Sequence, residues 1–192
     1  MKNKKLYGFV SVVMFLAVFC GVSYGMELLN DQQALKEMFP DAEKIVTEKK
    51  VFTEGELAAV KVKLGGFLTY RQADAKARNE YELFYCIKNG KKIGVAIIEE
   101  QPAKWGPVKY IIALDSETGK VKNLAVMSYT EKRGRPIARR NFLEQFVNKG
   151  SEIALGKGIN AVSGATVSSD ATCFAVKKVV VLYEETVLNK KK

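Results

Sequence analysis

Ser163-Gly164-Ala165-Thr166, followed by Val167-Ser168-Ser169-Asp170, is the stretch whose residue types could do chemistry. Three small residues lead into a threonine hydroxyl, and Ser168, Ser169 and Asp170 can each cap the N-terminus of a helix. Apolar residues then recur three and four apart at Cys173, Val176, Val180, Tyr183 and Val187, the spacing of one helical face. A helix start presents unpaired N–H groups and the positive end of the macrodipole, which suits a phosphate. Gly164 and Ala165 let such a group approach the backbone, and Thr166 supplies an oxygen at the same place. A small-residue turn before the last helix, with no ligand at all, is the alternative from these residues alone.

Absences narrow the chemistry. The chain has no histidine, which removes a histidine-ligated haem, histidine zinc sites and serine–histidine or cysteine–histidine nucleophile pairs. Three scattered cysteines cannot hold a four-thiolate iron–sulfur cluster, and there is no Cys-x-x-Cys-His for c-type haem. An electron carrier of this composition needs an organic cofactor. No residue reads as catalytic and none as a metal ligand.

The motif resembles that of the FMN-binding domain family, whose best-known members are the flavinylated subunits of Rnf-type and sodium-pumping NADH:quinone oxidoreductase complexes. In that family a flavin transferase attaches FMN through its phosphate to the threonine of an Asp-x-x-Ser/Thr-Gly-Ala-Thr motif. Asn160-Ala161-Val162-Ser163-Gly164-Ala165-Thr166 matches at every fixed position but the first, where Asn160 replaces the acid. Upstream, Tyr129-Thr130-Glu131-Lys132-Arg133-Gly134, Ile137 and Asn141-Phe142-Leu143-Glu144-Gln145-Phe146 resemble the segment that usually precedes the motif in small exported members. The likeness covers roughly residues 81 to 188.

The resemblance implies FMN held as a phosphoester on Thr166, with Ser163, Gly164, Ala165, Ser168 and Ser169 around the phosphate. Glu131 and Arg133 resemble positions close to the flavin, against the alternative of solvated loop charges. It also implies an FAD-dependent flavin transferase as partner, with membrane or extracytoplasmic redox proteins exchanging the electrons. Nothing near Thr166 reads as a strong general base, so the transferase would activate the hydroxyl and this chain would be its substrate. The protein then reads as an electron-carrier module and not a stand-alone enzyme. The other reading, kept open by Asn160, is a non-covalent FMN- or phosphate-ligand-binding sensor or assembly subunit of a membrane redox complex. Trp105-Gly106-Pro107 could loop over the flavin ring, or the lone tryptophan could be core.

The elements that must position these residues can be read along the chain of 192 residues. Lys2, Lys4 and Lys5 precede an apolar run from Leu6 to about Val22, and Ser23-Tyr24-Gly25 supplies small residues before a cut. Residues 1–25 thus read as a secretory signal, or as an uncleaved anchor, since the run approaches the ~20 residues that span a bilayer. Phe19 stands where a lipidated Cys20 would need a small residue, so a lipoprotein is rejected. Export, to the periplasm or another extracytoplasmic space, follows on either reading. About 167 residues remain, enough for a core without a disulfide framework. Cys86 and Cys173 read as buried thiols or one optional bridge. The net charge of +10 falls to +7 without the three leader lysines. Export argues against nucleic acid, which leaves a soluble cationic surface, or attraction to anionic lipid or an acidic redox partner.

Asp31 can cap a short helix through Leu35 and Met38 that Pro40 stops, and Thr53 with Glu56 is spaced as a capping box for a second helix ending near Gly65-Gly66. Residues 26–80 therefore read as a helical segment, and 81–192 as the FMN-binding domain, with a polar connector at 71–80. From Tyr81 the period becomes alternating. Tyr81–Lys88 and Lys91–Glu99 flank Asn89-Gly90, a strong hairpin signal. Val108–Leu114 and Val121–Ser128 follow, then a helix from about Arg139 to Asn148 and the last helix. Strands grouped between helices, with no room for crossovers, predict a single α+β domain: an antiparallel four-stranded meander flanked by helices.

Overall fold

The computed structural model describes residues 26–72, 78–130 and 135–191. The leader at 1–25 and the candidate flavin contacts Glu131 and Arg133 lie outside the described residues.

Both predicted N-terminal helices form, and both by reciprocal capping, although the cap of the first is Asn30 and not Asp31, which is already its first helical residue. The Asn30 side chain accepts from Gln33 N at the head of α1 (Asp31–Met38), and Gln33 returns the bond to Asn30 N. Thr53 and Glu56 do the same for α2 (Glu54–Lys63). The meander is β3 (Glu80–Lys88), β4 (Lys91–Pro102), β5 (Pro107–Asp115) and β6 (Val121–Tyr129). Asn89 (φ 51°) and Gly90 (φ 69°) both take the left-handed conformation that a two-residue type I′ hairpin requires between β3 and β4. In the longer turn after β5, the Asp115 carboxylate accepts from Glu117 N, Thr118 N and the Thr118 hydroxyl.

The sheet is wider than the four strands read from the sequence. Two strands from the N-terminal segment, β1 (Met26–Glu27) and β2 (Lys44–Val51), join its edges, so the antiparallel order is β1-β6-β5-β4-β3-β2. Lys44–Val51 lacks clear alternation because it is an edge strand exposed along most of its length, and its lysines suit an edge facing water. The helix predicted from Arg139 to Asn148 forms only as α3 (Arg140–Leu143), with tight 3₁₀ turns before and after it. Beyond Phe146 the backbone returns to β6: Asn148 takes a left-handed φ of 63°, and Asn148 and Lys149 hydrogen-bond across to Val121. That return leaves no room for another helical turn.

Alternation in β5 splits its side chains between two cores. Val108, Tyr110, Ile112 and Leu114 face the layer formed by α4 (Thr166–Tyr183) and α2, while Ile111 and Ala113 face α1. All six are fully buried. Most of α4 is buried, so its sequence is apolar on more than one face. Cys86 lies in the α1-side core and Cys173 in the α4-side core, both as free thiols. The sheet between them rules out the optional bridge.

Candidate functional site

The position of α4 fixes the site. The Tyr110 hydroxyl near the start of β5 lies 3.1 Å from Thr172 Oγ1, and the Tyr183 hydroxyl donates to Ser116 O just beyond the end of β5. Between them Lys178 Nζ meets Glu99 Oε1 on β4 at 2.9 Å, both groups buried. The first turn of α4 therefore stands toward the end of the sheet where β4 turns into β5 and where β6 ends.

The loop leading into α4 explains why Thr166 faces outward. Ile159, Val162 and Ala165, spaced by three, pack against the core, while Asn160, Ala161, Ser163, Gly164 and Thr166 are exposed. Gln145 holds the loop from the side: its Oε1 accepts from Asn160 N at 2.8 Å and its Nε2 donates to Asn160 O at 3.4 Å. Ala165 N donates to Val162 O, closing a turn in which Gly164 has a φ of +76°. A Cβ on Gly164 would meet nothing within 4 Å, so glycine is needed there for backbone handedness, and the space above it is open.

The capping expectation needs correction. The helix begins at Thr166, two residues before the first serine, and its N-cap is Ala165, which supplies no side-chain hydrogen bond. Ser169 is buried and works inward: its Oγ accepts from Val162 N and donates to Ala165 O, each at 3.0 Å. Ser168 is buried as well, and its carbonyl accepts from Thr172 Oγ1 at 2.8 Å. Ser169 thus braces the loop that presents Thr166, while Ser163 and Gly164 share its open face. The helix start has no side-chain cap, a setting in which unpaired N–H groups and the macrodipole suit an anion. A cleft of about 400 Å³ beside Ser163 and Asn160 is lined by Arg139, a further cation on this side of the loop.

The β4–β5 turn contributes an aromatic group. Trp105 is 62% exposed at the turn, so the core reading of the lone tryptophan fails. Gly106 behind it has a φ of 147°, and a Cβ there would come within 1.9 Å of Thr130 Oγ1. Only glycine allows the turn to close on the end of β6. At the far side of the helix start, Asp170 accepts from the Tyr70 hydroxyl at 2.7 Å and pairs with Arg71 at 3.3 Å. Sequence reasoning missed Tyr70 and Arg71, which lie in the region read as helical segment and connector. Burial pushes the Cys173 thiol, one turn further along, up to about 12, so it stays protonated.

Residues 104–181 match the FMN-binding domain family. Two solved structures share the fold. The NqrC protein of Shewanella oneidensis superimposes with a TM-score of 0.55 at 16% identity, over 81% of this chain and 86% of that one. The corresponding component of the Na⁺-translocating NADH-quinone reductase of Parabacteroides distasonis gives 0.50 at 15% identity, over 73% and 77%. No curated protein matches the chain. The residues present fit FMN: an exposed hydroxyl at an uncapped helix start, open space over Gly164, and a cation in the adjoining cleft.

Proposed function

We propose that this protein is an exported flavoprotein that carries one FMN as a phosphoester on Thr166 and passes electrons to and from membrane or extracytoplasmic redox partners. The observation that carries the reading is the presentation of Thr166. It is the exposed first residue of an α-helix without a side-chain cap, held clear of the core by the turn through Gly164.

Attachment requires a flavin transferase, FAD and a divalent metal. The Thr166 oxygen attacks the phosphorus next to the riboflavin, the bond to the AMP phosphate breaks, and AMP leaves while the hydroxyl proton passes to the transferase or solvent. This chain supplies presentation only. The positive end of α4 and Arg139 would hold the phosphate, with Ser163 and Gly164 flanking it. Trp105, exposed on the β4–β5 turn, would pack on the ring, and the family resemblance adds Glu131 and Arg133 as flavin contacts. Apolar packing and local charge would then set the potential of the bound flavin. No helix among the described residues is long and apolar enough to cross a membrane.

Co-expression with a flavin transferase tests the attachment. Intact mass should rise by one FMN, and the denatured band should fluoresce yellow. Thr166→Ala should lose both signals. Fluorescence retained in Thr166→Ala would move the attachment elsewhere and overturn the assignment.

A further inference from the structure

We infer that the Asp170–Arg71 ion pair, one helical turn from Thr166, sets the electrical environment of the flavin; this rests on the attachment proposed above. Thr166 and Asp170 are four residues apart on α4, so their side chains lie on one face, roughly 5–6 Å apart at Cβ. Arg71 reaches Asp170 at 3.3 Å and lies over the Tyr70 ring at 5.0 Å. A ring joined to Thr166 through a phosphate and a five-carbon chain has the reach to come alongside this pair.

The pair is held as a fixture and not as a stray surface contact. Arg71 sits at a tight turn with a left-handed φ of 55°, which is uncommon for a non-glycine residue. Tyr70 N donates to Gln101 Oε1 at 2.8 Å, Gln101 Nε2 donates to Glu99, and Glu99 is paired with Lys178 on α4. The Tyr70 hydroxyl returns to α4 at Asp170. The turn is therefore tied to the flavin-bearing helix at both ends of this chain of contacts. Yet Arg71 is 65% and Asp170 38% exposed, a setting in which an ion pair adds little to stability. Beside it opens a groove of about 280 Å³ lined by Phe67, Phe174 and Lys177.

The charge effect follows from the reaction. Two electrons and one proton convert the oxidised ring to its singly anionic reduced form, which adds one negative charge. Asp170 opposes that charge and Arg71 offsets Asp170. Removing the cation leaves the carboxylate bare and disfavours the reduced ring, while removing the carboxylate frees the cation and favours it. A tenfold change in the reduced-to-oxidised preference is about 30 mV for a two-electron couple.

The test compares flavinylated wild type, Arg71→Gln and Asp170→Asn. Intact mass establishes loading, and spectroelectrochemical titration at low salt gives the midpoint potential. Arg71→Gln should lower the potential by about 30 mV and Asp170→Asn should raise it by about the same amount, with high salt shrinking both shifts. Quenching of flavin fluorescence by iodide should weaken in Arg71→Gln and strengthen in Asp170→Asn, while neutral acrylamide treats all three alike. A general disturbance of the fold would move both variants in one direction. Full loading with unchanged potentials, or shifts of the same sign, would overturn this inference and leave the attachment standing. A wild-type chain that takes up no flavin overturns both.

Discussion

Replacing Lys178 by methionine tests how α4, and with it Thr166, is held against the sheet. Lys178 and Glu99 are both almost wholly buried and 2.9 Å apart. The same Glu99 oxygen also accepts from Gln101 Nε2 at 2.6 Å, while the other has no hydrogen-bond partner among the described residues. Lys178→Met leaves a buried carboxylate with one neutral donor, and losing one partner of a buried pair costs about 3–5 kcal/mol. For a chain of this size each 1 kcal/mol lowers Tm by roughly 2–4 °C, so the melting point should fall by about 6–20 °C. Adding Glu99→Gln removes the stranded charge and keeps an acceptor for Gln101. The double variant should therefore recover to within about 1–2 kcal/mol of wild type. Thermal melts followed by far-ultraviolet circular dichroism, with urea titrations at 25 °C, give both numbers. A single variant as stable as wild type, or a double variant less stable than the single, would refute the reasoning.

Four other outcomes follow from the same geometry. Gly164→Ala pays only for its left-handed backbone, about 1–2 kcal/mol, since a Cβ there meets nothing; Tm should drop by a few degrees and flavinylation should slow, and normal labelling kinetics would show that the turn does not present Thr166. Asn160→Asp restores the acid of the family motif, and should label faster than wild type when transferase is limiting; equal rates would show that the first motif position is unimportant here. If charge steers an acidic redox partner, the electron-exchange rate of the flavinylated protein should fall as salt rises from about 0.01 M to 0.15 M, where the Debye length shortens from roughly 30 Å to about 8 Å; stopped-flow reduction at several salt concentrations reads this. Glu56 is held down at about 2 by its hydrogen bond with Lys190, then by the Thr53 backbone. A depressed carboxylate gives stability that is complete above its unfolded value and is lost as pH falls from about 4.5 toward 2; Glu56→Gln should flatten the acid limb of a pH–stability curve, and an unchanged limb would sink that assignment.

Local signals carried the centre of the fold. Asn89-Gly90 specifies a hairpin because both residues tolerate left-handed φ, and the Thr53–Glu56 capping box is complete within four residues, so these elements needed no tertiary information. The same holds for the motif from Asn160 to Thr166, whose small residues and following apolar periodicity mark a helix start from sequence alone. Lys44–Val51 is different: it is a strand only because β3 offers it an edge, and its lysines hide the alternation. Ser168 and Ser169 look like caps until the loop is folded, when the partners of Ser169 turn out to be Val162 N and Ala165 O. Asp170 reads as a third cap in sequence, but Tyr70 and Arg71, 100 and 99 positions away along the chain, claim it in space. A sequence fixes what each residue can do with its near neighbours; which distant groups share a helix face depends on how the sheet and α4 pack, and that packing decided the surroundings of Thr166.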